Sequence, residues 1–284
     1  MTQLGLIGYP LGHSLSPKIH KAALDYCRLD GNYSLYPIHP DDIQGLKNLL
    51  ARVRSAEITG LNVTIPHKQN VIPLLDELTP TAKAIGAVNT IFTQNGKLTG
   101  DNTDVPGFLA DLEKLLDTET SRPDKSDTKT AMVLGAGGSA RAVVYALVKN
   151  GWDVTIAARR MKQAHSLMAQ FPNPEFQVAS IEYNDTALYS LLPRLSLIVN
   201  TTPLGMLPNL DSSPWPADLS LPSTAAIYDL VYNPRETKLV KDARAAGLSA
   251  TSGLGMLIEQ AALSFEIWTG QNPSRDILLN AIEY

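Results

Sequence analysis

The chain is poor in cysteine: its 284 residues include one, Cys27. A single cysteine excludes an internal disulfide and a cysteine-rich metal site, and it is typical of proteins from a reducing compartment. The sequence also lacks an H-x-x-H pair or an acidic cluster of the kind that binds metal ions. We therefore expect no metal in the site, and we expect Cys27 to be a small buried hydrophobic residue on a helix.

Charge of one sign is scarce as well. Lysine and arginine number 24 and aspartate and glutamate 28, which gives a net charge of −4, and no long run carries one sign. The sequence therefore predicts neither a nucleic-acid partner nor binding to an anionic membrane surface. No apolar run approaches the ~20 residues that span a bilayer, and the opening MTQLGLIGYP lacks the basic segment of a secretory signal. We expect a cytoplasmic protein that holds any anionic ligand through a few local groups.

What is present is a regular alternation of strand-like apolar runs and amphipathic helical patterns, which is typical of parallel α/β layers. The first third predicts strands at Leu4 to Ile7, Tyr33 to Tyr36 and Leu61 to Ile65. Two alternating runs then flank Asn95-Gly96, which predicts a type I′ β-hairpin. From Thr130 the alternation starts again. The later predicted strands are Ala131 to Leu134, Val154 to Ala157, Leu197 to Asn200 and Ala226 to Leu230.

A glycine loop stands between a predicted strand and a predicted helix in AMVLGAGGSARAVVYAL. Gly135, Gly137 and Ala140 have the G-x-G-x-x-A spacing of dinucleotide-binding folds. Gly135 permits the tight turn, Gly137 keeps side chains away from the pyrophosphate, and Ala140 lets helix and strand approach closely. The alternative is an ordinary glycine-rich turn, but the strand-loop-helix context favours a dinucleotide site. Its predicted loop residues are Gly135, Ala136, Gly137, Gly138, Ser139 and Ala140.

The strand that follows this unit ends in Ala158, Arg159 and Arg160. An NAD site would have an aspartate or glutamate there to hold the ribose 2′-hydroxyl. Two cations in place of the acid favour the 2′-phosphate of NADP, with Arg159 as the stronger candidate contact. The alternative is that both arginines extend into solvent at a strand end.

The stretch GLNVTIPHKQN raises a different question, because Lys68 follows closely on a strand predicted to be buried. A lysine in that position is costly unless it is paired or used. The segment GDNTDVPGF offers a partner, Asp104, just before a predicted helix. Taken alone, Asp104 is better explained as a helix N-cap than as a catalytic carboxylate, and Lys68 as a solvated surface residue.

Six motifs extend the argument over nearly the whole chain: GYPLGHSLSP, NVTIPHK, GAVNT, GDNTD, GAGGSAR and GLGMLIEQAA. In this order they closely resemble the shikimate dehydrogenases of the AroE type, which reduce 3-dehydroshikimate to shikimate with NADPH on the route to chorismate and the aromatic amino acids. The resemblance implies that Lys68 and Asp104 are the catalytic pair. Charge grows on the ketone oxygen as hydride arrives, so a nearby ammonium would stabilise it and supply the proton.

The resemblance also implies the remaining contacts. Ser14 and Ser16 would donate to the substrate carboxylate, although simple helix capping, with Ser16 as N-cap before Pro17, is an alternative for Ser16. The ring would be held by Thr64, Asn89, Asp104 and Gln260, with Tyr232 nearby. The nicotinamide side would be lined by Thr201, Thr202, Val231, Gly253, Gly255 and Met256, although core packing is an alternative for Met256. His13 and His67 match no catalytic position.

The implied architecture has two domains. Residues 1–104 would form a parallel α/β substrate-binding and catalytic domain, to which helices in 253–284 return, and residues 105–252 a Rossmann domain for NADP. The site would lie in the cleft between them, at the carboxyl ends of the strands. The oligomeric state is left open, with a homodimer as one option.

Other functions remain open from the sequence. Where many NADP-dependent members of the family have Asn-Arg-Thr or Asn-Arg-Ser, this chain has Ala158-Arg159-Arg160, so a broader quinate/shikimate dehydrogenase that also uses NAD is one alternative. A metabolite sensor without turnover is another, and the presence of both Lys68 and Asp104 argues against it. Methylenetetrahydrofolate dehydrogenases share the two-domain plan but lack the HSLSP and GDNTD pair.

Overall fold

A computed structural model describes residues 1–117, 129–170, 178–182 and 187–282, which fold as two α/β units. The first compact unit comprises Met1–Gly107 and Ile258–Tyr284, and the second Phe108–Leu257. These divisions fall within two helices, α4 (Asp104–Leu116) and α9 (Leu254–Thr269). The sequence places them slightly earlier, at 104 and 252. Which unit holds the substrate and which the dinucleotide stays a prediction.

The first unit contains a six-stranded mixed sheet in the order β2-β1-β3-β5-β6-β4. Strands β1, β2 and β3 are parallel, whereas β5 runs antiparallel to both β3 and β6. The elements before α4 are β1 (Thr2–Gly8), α1 (Ser16–Tyr26), β2 (Gly31–Pro37), α2 (Ile43–Arg54), β3 (Gly60–Val63), β4 (Glu77–Leu78), α3 (Pro80–Ile85), β5 (Thr90–Gln94) and β6 (Lys97–Asp101); α10 (Arg275–Asn280) follows α9.

The antiparallel pair of β5 and β6 is the predicted hairpin. Because of this pair the sheet is mixed, whereas the strand pattern predicts a parallel sheet. Asn95 (φ 52°) and Gly96 (φ 74°) join the two strands with positive φ at both turn positions, so the type I′ prediction is confirmed. Two-residue β4 and six-residue α3 were not predicted, because elements this short carry no periodic signal.

The core of the first unit forms because α2 presents a single apolar face to the sheet. Leu46, Leu49, Leu50 and Val53 follow the i, i+3, i+4, i+7 spacing and are all buried. Cys27 was predicted to be buried and is only half-buried, because α1 ends at Tyr26 and Cys27 forms its C-cap.

The second unit contains a fully parallel sheet in the order β12-β11-β10-β7-β8-β9, the Rossmann-type arrangement that the glycine loop predicts. Its order reverses between β7 and β10, where open α/β sheets bind ligands at the carboxyl ends of their strands. Between α4 and α9 the elements are β7 (Thr130–Leu134), α5 (Gly138–Lys149), β8 (Asp153–Ala157), α6 (Met161–Met168), β9 (Val178–Ile181), α7 (Ala187–Leu191), β10 (Leu197–Asn200), β11 (Ala226–Asp229), α8 (Lys238–Ala245) and β12 (Ala250–Ser252).

Among the helices in the described ranges, none has the length and apolar character that a membrane crossing requires.

Candidate active site

Lys68 and Asp104 form an ion pair in the first unit. Lys68 Nζ donates to Asp104 Oδ2 at 2.7 Å, and the two side chains are only 15% and 10% exposed. Asp104 is the first residue of α4. Lys68 does not follow directly on a strand. The preceding strand, β3, ends at Val63 rather than at the predicted Ile65, and Ile65 is 67% exposed. A turn therefore separates Lys68 from β3, and the Lys68 carbonyl accepts the Val88 N–H at 2.8 Å.

Asn89 orients the carboxylate of Asp104 from the other side. Its Nδ2 donates to Asp104 Oδ1 and to Thr103 Oγ1, both at 2.9 Å, and its Oδ1 accepts the Thr103 N–H at 2.8 Å. An oxygen must face the Thr103 N–H, which fixes the orientation of the amide. The two carboxylate oxygens of Asp104 thus have different partners, the ammonium of Lys68 on one and the amide of Asn89 on the other.

Gln260, on α9, belongs to the same cluster. Its Oε1 accepts from Asn89 Nδ2 at 3.4 Å, and its backbone carbonyl accepts from Thr103 Oγ1 at 3.1 Å. The structure therefore brings together four of the predicted substrate contacts: Lys68, Asn89, Asp104 and Gln260. Thr64 follows β3 and donates its N–H to the Ile7 carbonyl at 2.8 Å, which anchors it to the end of β1.

Ser14 and Ser16 lie after β1, at the same carboxyl edge of the sheet as the turn that follows β3. The Tyr9 N–H donates to the Ile65 carbonyl at 3.0 Å and joins these two loops. Ser16 is not the predicted N-cap: α1 begins at Ser16 itself, and the cap position holds Leu15 without a side-chain bond. Instead, the side chain of Ser14 bonds the start of the helix: Ser14 Oγ accepts the Ser16 N–H at 3.3 Å.

A buried polar network that the sequence did not reveal supports this cluster. Asn62 Nδ2 donates to the Asn89 carbonyl at 3.2 Å and to Ser264 Oγ at 3.0 Å, while its Oδ1 accepts from Tyr33 at 2.9 Å. Thr90 Oγ1 bonds Ser264 Oγ at 2.8 Å and donates to Asn89 Oδ1 at 2.9 Å. The one available signal was that Ser264 follows Gln260 by four residues, on the same helix face.

His67 is buried next to Lys68, and its Nε2 bonds the Ile38 carbonyl at 2.7 Å. This contact agrees with a structural role. The described residues contain no group of three or more histidine, cysteine, aspartate or glutamate side chains that could hold a metal ion.

In the second unit the glycine loop adopts the geometry that its spacing predicts. Gly135 follows β7 with φ 107°, a value that favours glycine, and an added Cβ would lie 2.7 Å from Thr201 Oγ1. Gly137 is the N-cap of α5, and added Cβ atoms at Gly137 and Gly138 would meet nothing within 4 Å. Ala140 is fully buried. The N-terminus of this 12-residue helix thus has open space beside its first two glycines, which fits a pyrophosphate.

The second strand of this unit, β8, is followed by Ala158, Arg159 and Arg160. Ala158 is buried and bonded to the Ile181 carbonyl at 3.1 Å, whereas both arginines are exposed. Neither guanidinium has an ion-pair partner within the described part of the chain. Their charges are therefore available at the carboxyl edge, as the 2′-phosphate hypothesis requires.

The other half of this edge is formed by the segments after β10 and β11 and by the first turn of α9. Thr201 Oγ1 donates to the Leu134 carbonyl at 2.7 Å, and the Gly253 N–H donates to the Val231 carbonyl at 3.3 Å. Thr202 donates from both N and Oγ1 to Asn200 Oδ1 at 2.8 Å. Val231 and Thr202 thereby become fixed parts of the edge.

Packing leaves no space at the glycines of the α9 turn. A Cβ on Gly255 would lie 1.9 Å from Asp111 Oδ1. The Asp111 side chain cannot easily move away, because its Oδ2 accepts from the buried Tyr228 hydroxyl at 2.6 Å. Burial and the charge of Asp111 raise the pKa of Tyr228 well above its usual value. Met256 is 9% exposed in the same turn, so core packing explains much of its surface. Tyr232 lies in this second unit and is half-buried, which raises the pKa of its phenol.

Comparisons with known proteins agree with these motifs. Three family models match: the shikimate dehydrogenase substrate binding domain at residues 6–91, shikimate / quinate 5-dehydrogenase at 118–202, and the shikimate 5'-dehydrogenase C-terminal domain at 253–283. The chain is 41% identical to the shikimate dehydrogenase (NADP(+)) of Synechocystis, over 98% of this chain and 94% of the relative.

Solved structures agree as well. The shikimate 5-dehydrogenase of Thermus thermophilus in complex with NADP(H) and shikimate has a TM-score of 0.84 and 35% identity, over 99% of this chain and 98% of that one. The quinate dehydrogenase of Corynebacterium glutamicum in complex with NAD has a TM-score of 0.86 and 31% identity, over 99% and 98%.

Proposed function

The chain belongs to the shikimate dehydrogenase family, and from this premise we propose that it catalyses the reversible NADPH-dependent reduction of 3-dehydroshikimate to shikimate. The observation that carries the proposal is the largely buried Lys68–Asp104 ion pair at 2.7 Å, whose second carboxylate oxygen is held by Asn89. An ion pair at a strand edge with a further orienting amide is more than a helix cap requires. It is the arrangement expected of a proton-transfer group beside a substrate.

NADPH bound at the glycine loop would supply the hydride that reduces the ketone carbon. Lys68 stabilises the negative charge that develops on the ketone oxygen and donates a proton to it; in the oxidation, neutral Lys68 accepts that proton. Asp104 holds the ammonium in place and shares a substrate hydroxyl. Asn89 keeps the Asp104 carboxylate from rotating, so the direction of the lysine is set before substrate binds.

The other contacts follow from the same proposal. Ser14 and Ser16 donate to the substrate carboxylate, and Thr64, Asn89 and Gln260 bind ring hydroxyls, with Tyr232 near the ring. The glycine loop holds the pyrophosphate. Arg159, and less directly Arg160, bind the 2′-phosphate, each charge-assisted contact contributing ~1.5–3 kcal/mol. Thr201, Thr202, Val231, Gly253 and Met256 line the nicotinamide side.

Replacing Lys68 tests the mechanism. Lys68→Met keeps the length of the side chain but removes the proton and the charge, so we expect kcat for shikimate oxidation to fall by about 10²–10⁴-fold. Lys83→Met is the matched control, because Lys83 is an exposed lysine of the same unit outside the proposed site. A folded Lys68→Met protein with full turnover would show that the pair is structural.

One alternative deserves a direct comparison, because the segment after β8 departs from the usual family pattern and a quinate dehydrogenase bound to NAD has a closely similar fold. Initial rates of shikimate and quinate oxidation, each with NADP and with NAD, separate the two. Fast turnover only with shikimate and NADP supports the biosynthetic enzyme and the role of Arg159. Comparable rates with NAD or quinate support the broader dehydrogenase, and absence of turnover with all four pairs supports a sensor.

Three further statements belong to the same proposal. The single cysteine supports a cytoplasmic location, and the net charge of −4 without basic runs supports small molecules rather than nucleic acid or membrane as partners. A homodimer stays an open prediction, which sedimentation equilibrium of the full chain would test.

A further inference from the structure

Asp229 is an unusual residue in the second unit, because it is a carboxylate with 0% exposure and no cationic partner within the described residues. It ends β11. Three donors surround it: Asn200 Nδ2 at 2.8 Å, the Val231 N–H at 3.0 Å and Thr237 Oγ1 at 2.6 Å. Burial raises its pKa to about 6, so the ionised form is disfavoured by its surroundings. A buried carboxylate retained at this cost requires a reason.

The two oxygens of Asp229 bind different parts of the chain. Oδ1 accepts from both Asn200, the last residue of β10, and Val231, two residues after the end of β11. Among the described residues, Oδ2 accepts from Thr237 alone, the N-cap of α8. One oxygen therefore joins two loops at the carboxyl edge of the sheet, and the other anchors the side chain to the body of the unit.

Asn200 extends the effect of Oδ1 to the next residues. Its own Oδ1 accepts both the N–H and the hydroxyl of Thr202 at 2.8 Å, so its Nδ2 must point towards Asp229. Removal of Oδ1 would leave the buried Val231 N–H without this acceptor, and would leave Asn200 Nδ2 with the Leu204 carbonyl at 3.4 Å alone. Thr202 and Val231 would then lose their common anchor.

We propose that Asp229 is a positioning residue for the dinucleotide: its Oδ1 holds Thr202 and Val231 in the arrangement that binds the nicotinamide half, without touching the cofactor itself. The inference rests on the proposed function, which assigns NADP to this edge. Loops that are already ordered bind with less loss of conformational entropy, so their release weakens binding.

The test measures the Kd of NADP+ for the full chain by isothermal titration calorimetry, without shikimate. Asp229→Ala removes Oδ1, and we expect its Kd to rise about tenfold or more. Asp229→Asn keeps an oxygen for Asn200 and Val231 and places an amide N–H, in place of Oδ2, against the hydroxyl of Thr237, which can accept it, so we expect a Kd within about threefold of wild type.

Two threonine variants serve as controls. Thr237→Val removes the Oδ2 contact and the helix cap, and should leave the Kd within about threefold of wild type. Thr79→Val is the matching control in the first unit. Thr79 is also an N-cap, and it donates to Asp101 Oδ1 at 2.5 Å as Thr237 donates to Asp229. This variant should leave the Kd of NADP+ unchanged.

The pattern across the variants decides. Weak binding by Asp229→Ala alone supports the inference. A wild-type Kd in Asp229→Ala overturns the inference. Equal weakening of NADP+ binding in Asp229→Ala, Asp229→Asn and Thr237→Val also overturns it, because the Kd would then depend on the stability of the unit and not on Oδ1. If Asp229→Ala does not fold, Asn200→Ala removes the same contact from the β10 side, and its Kd supports or overturns the inference in the same way. Wild-type protein that binds NADP+ but oxidises no shikimate contradicts the proposed reaction and leaves this inference standing.

Discussion

The buried carboxylate of Asp229 also predicts how stability changes with pH. The folded protein raises the pKa of Asp229 from an ordinary value of 3.8 to about 6, chiefly because burial disfavours the charge and the three donors compensate only in part. Asp229→Asn has nearly the same shape but cannot ionise. The difference in the free energy of unfolding between wild type and Asp229→Asn therefore isolates this one ionisation.

The sign follows from proton binding, since the folded state binds the Asp229 proton more tightly than the unfolded state does. Below pH 3.8 both states are protonated and burial imposes no charge penalty; between 3.8 and 6 the penalty grows, and above 6 it is complete. Two pKa units correspond to ~3 kcal/mol. We therefore expect wild type to lose about 2–3 kcal/mol of stability relative to Asp229→Asn as the pH rises from 4 to 7.

Urea unfolding of both proteins, followed by circular dichroism at several pH values in that range, measures the difference. The comparison between variants is essential, because buried His20 acts in the opposite direction: its pKa is lowered from 6.5 to about 3, so the folded state loses stability on acidification. His20 is common to both proteins and cancels. A difference that stays constant with pH would refute the reasoning and would mean that Asp229 ionises as readily in the folded protein as in the unfolded chain.

Three other outcomes are expected. His20→Phe keeps the stacking on Tyr33, whose ring lies 4.3 Å away, and should make the protein more stable than wild type by ~3 kcal/mol at pH 4.5 but not at pH 7.5, by urea unfolding. Gly60→Ala places a Cβ 2.1 Å from Trp268 Nε1, and should lower the free energy of unfolding by ~1–3 kcal/mol because the indole must shift; an unchanged melting temperature would contradict this. Asn89→Ala removes the anchor of Asp104 and should lower kcat by about tenfold or more with the KM for NADP unchanged, whereas a change in that KM would point to a different role.

Local patterns explain what could be predicted from the sequence. Gly135 and the Asn95-Gly96 turn have positive φ values, and glycine and asparagine are the residue types that favour such values, so the sequence indicates these turns directly. The ends of elements were less secure. Pro17 is equally tolerated at the second helical position, which let α1 begin one residue earlier than predicted, and Ile65 looked like strand although the chain had already left the sheet.

Long-range polar contacts outside the family motifs could not be predicted. Asn62 and Ser264 are 202 residues apart in sequence and meet in a buried hydrogen bond, and nothing near either residue indicates the other. Asp229 gives no local signal either, because an aspartate after a strand usually reaches solvent. Such groups are identified only when the fold supplies their partners, although they orient the side chains that the motifs identify.

The order of strands in the second sheet separates the two segments to which we assign cofactor binding. Arg159 follows β8 and Asp229 ends β11, and β7 and β10 lie between them. Three strand intervals of ~4.8 Å put these strands about 14 Å apart. With the roles we propose for Arg159 and Asp229, separate loops would encode the preference for a 2′-phosphate and the alignment of the reactive ring. Cofactor preference should be open to change by exchange of the segment after β8 alone, with the hydride-transfer geometry inherited intact from β11.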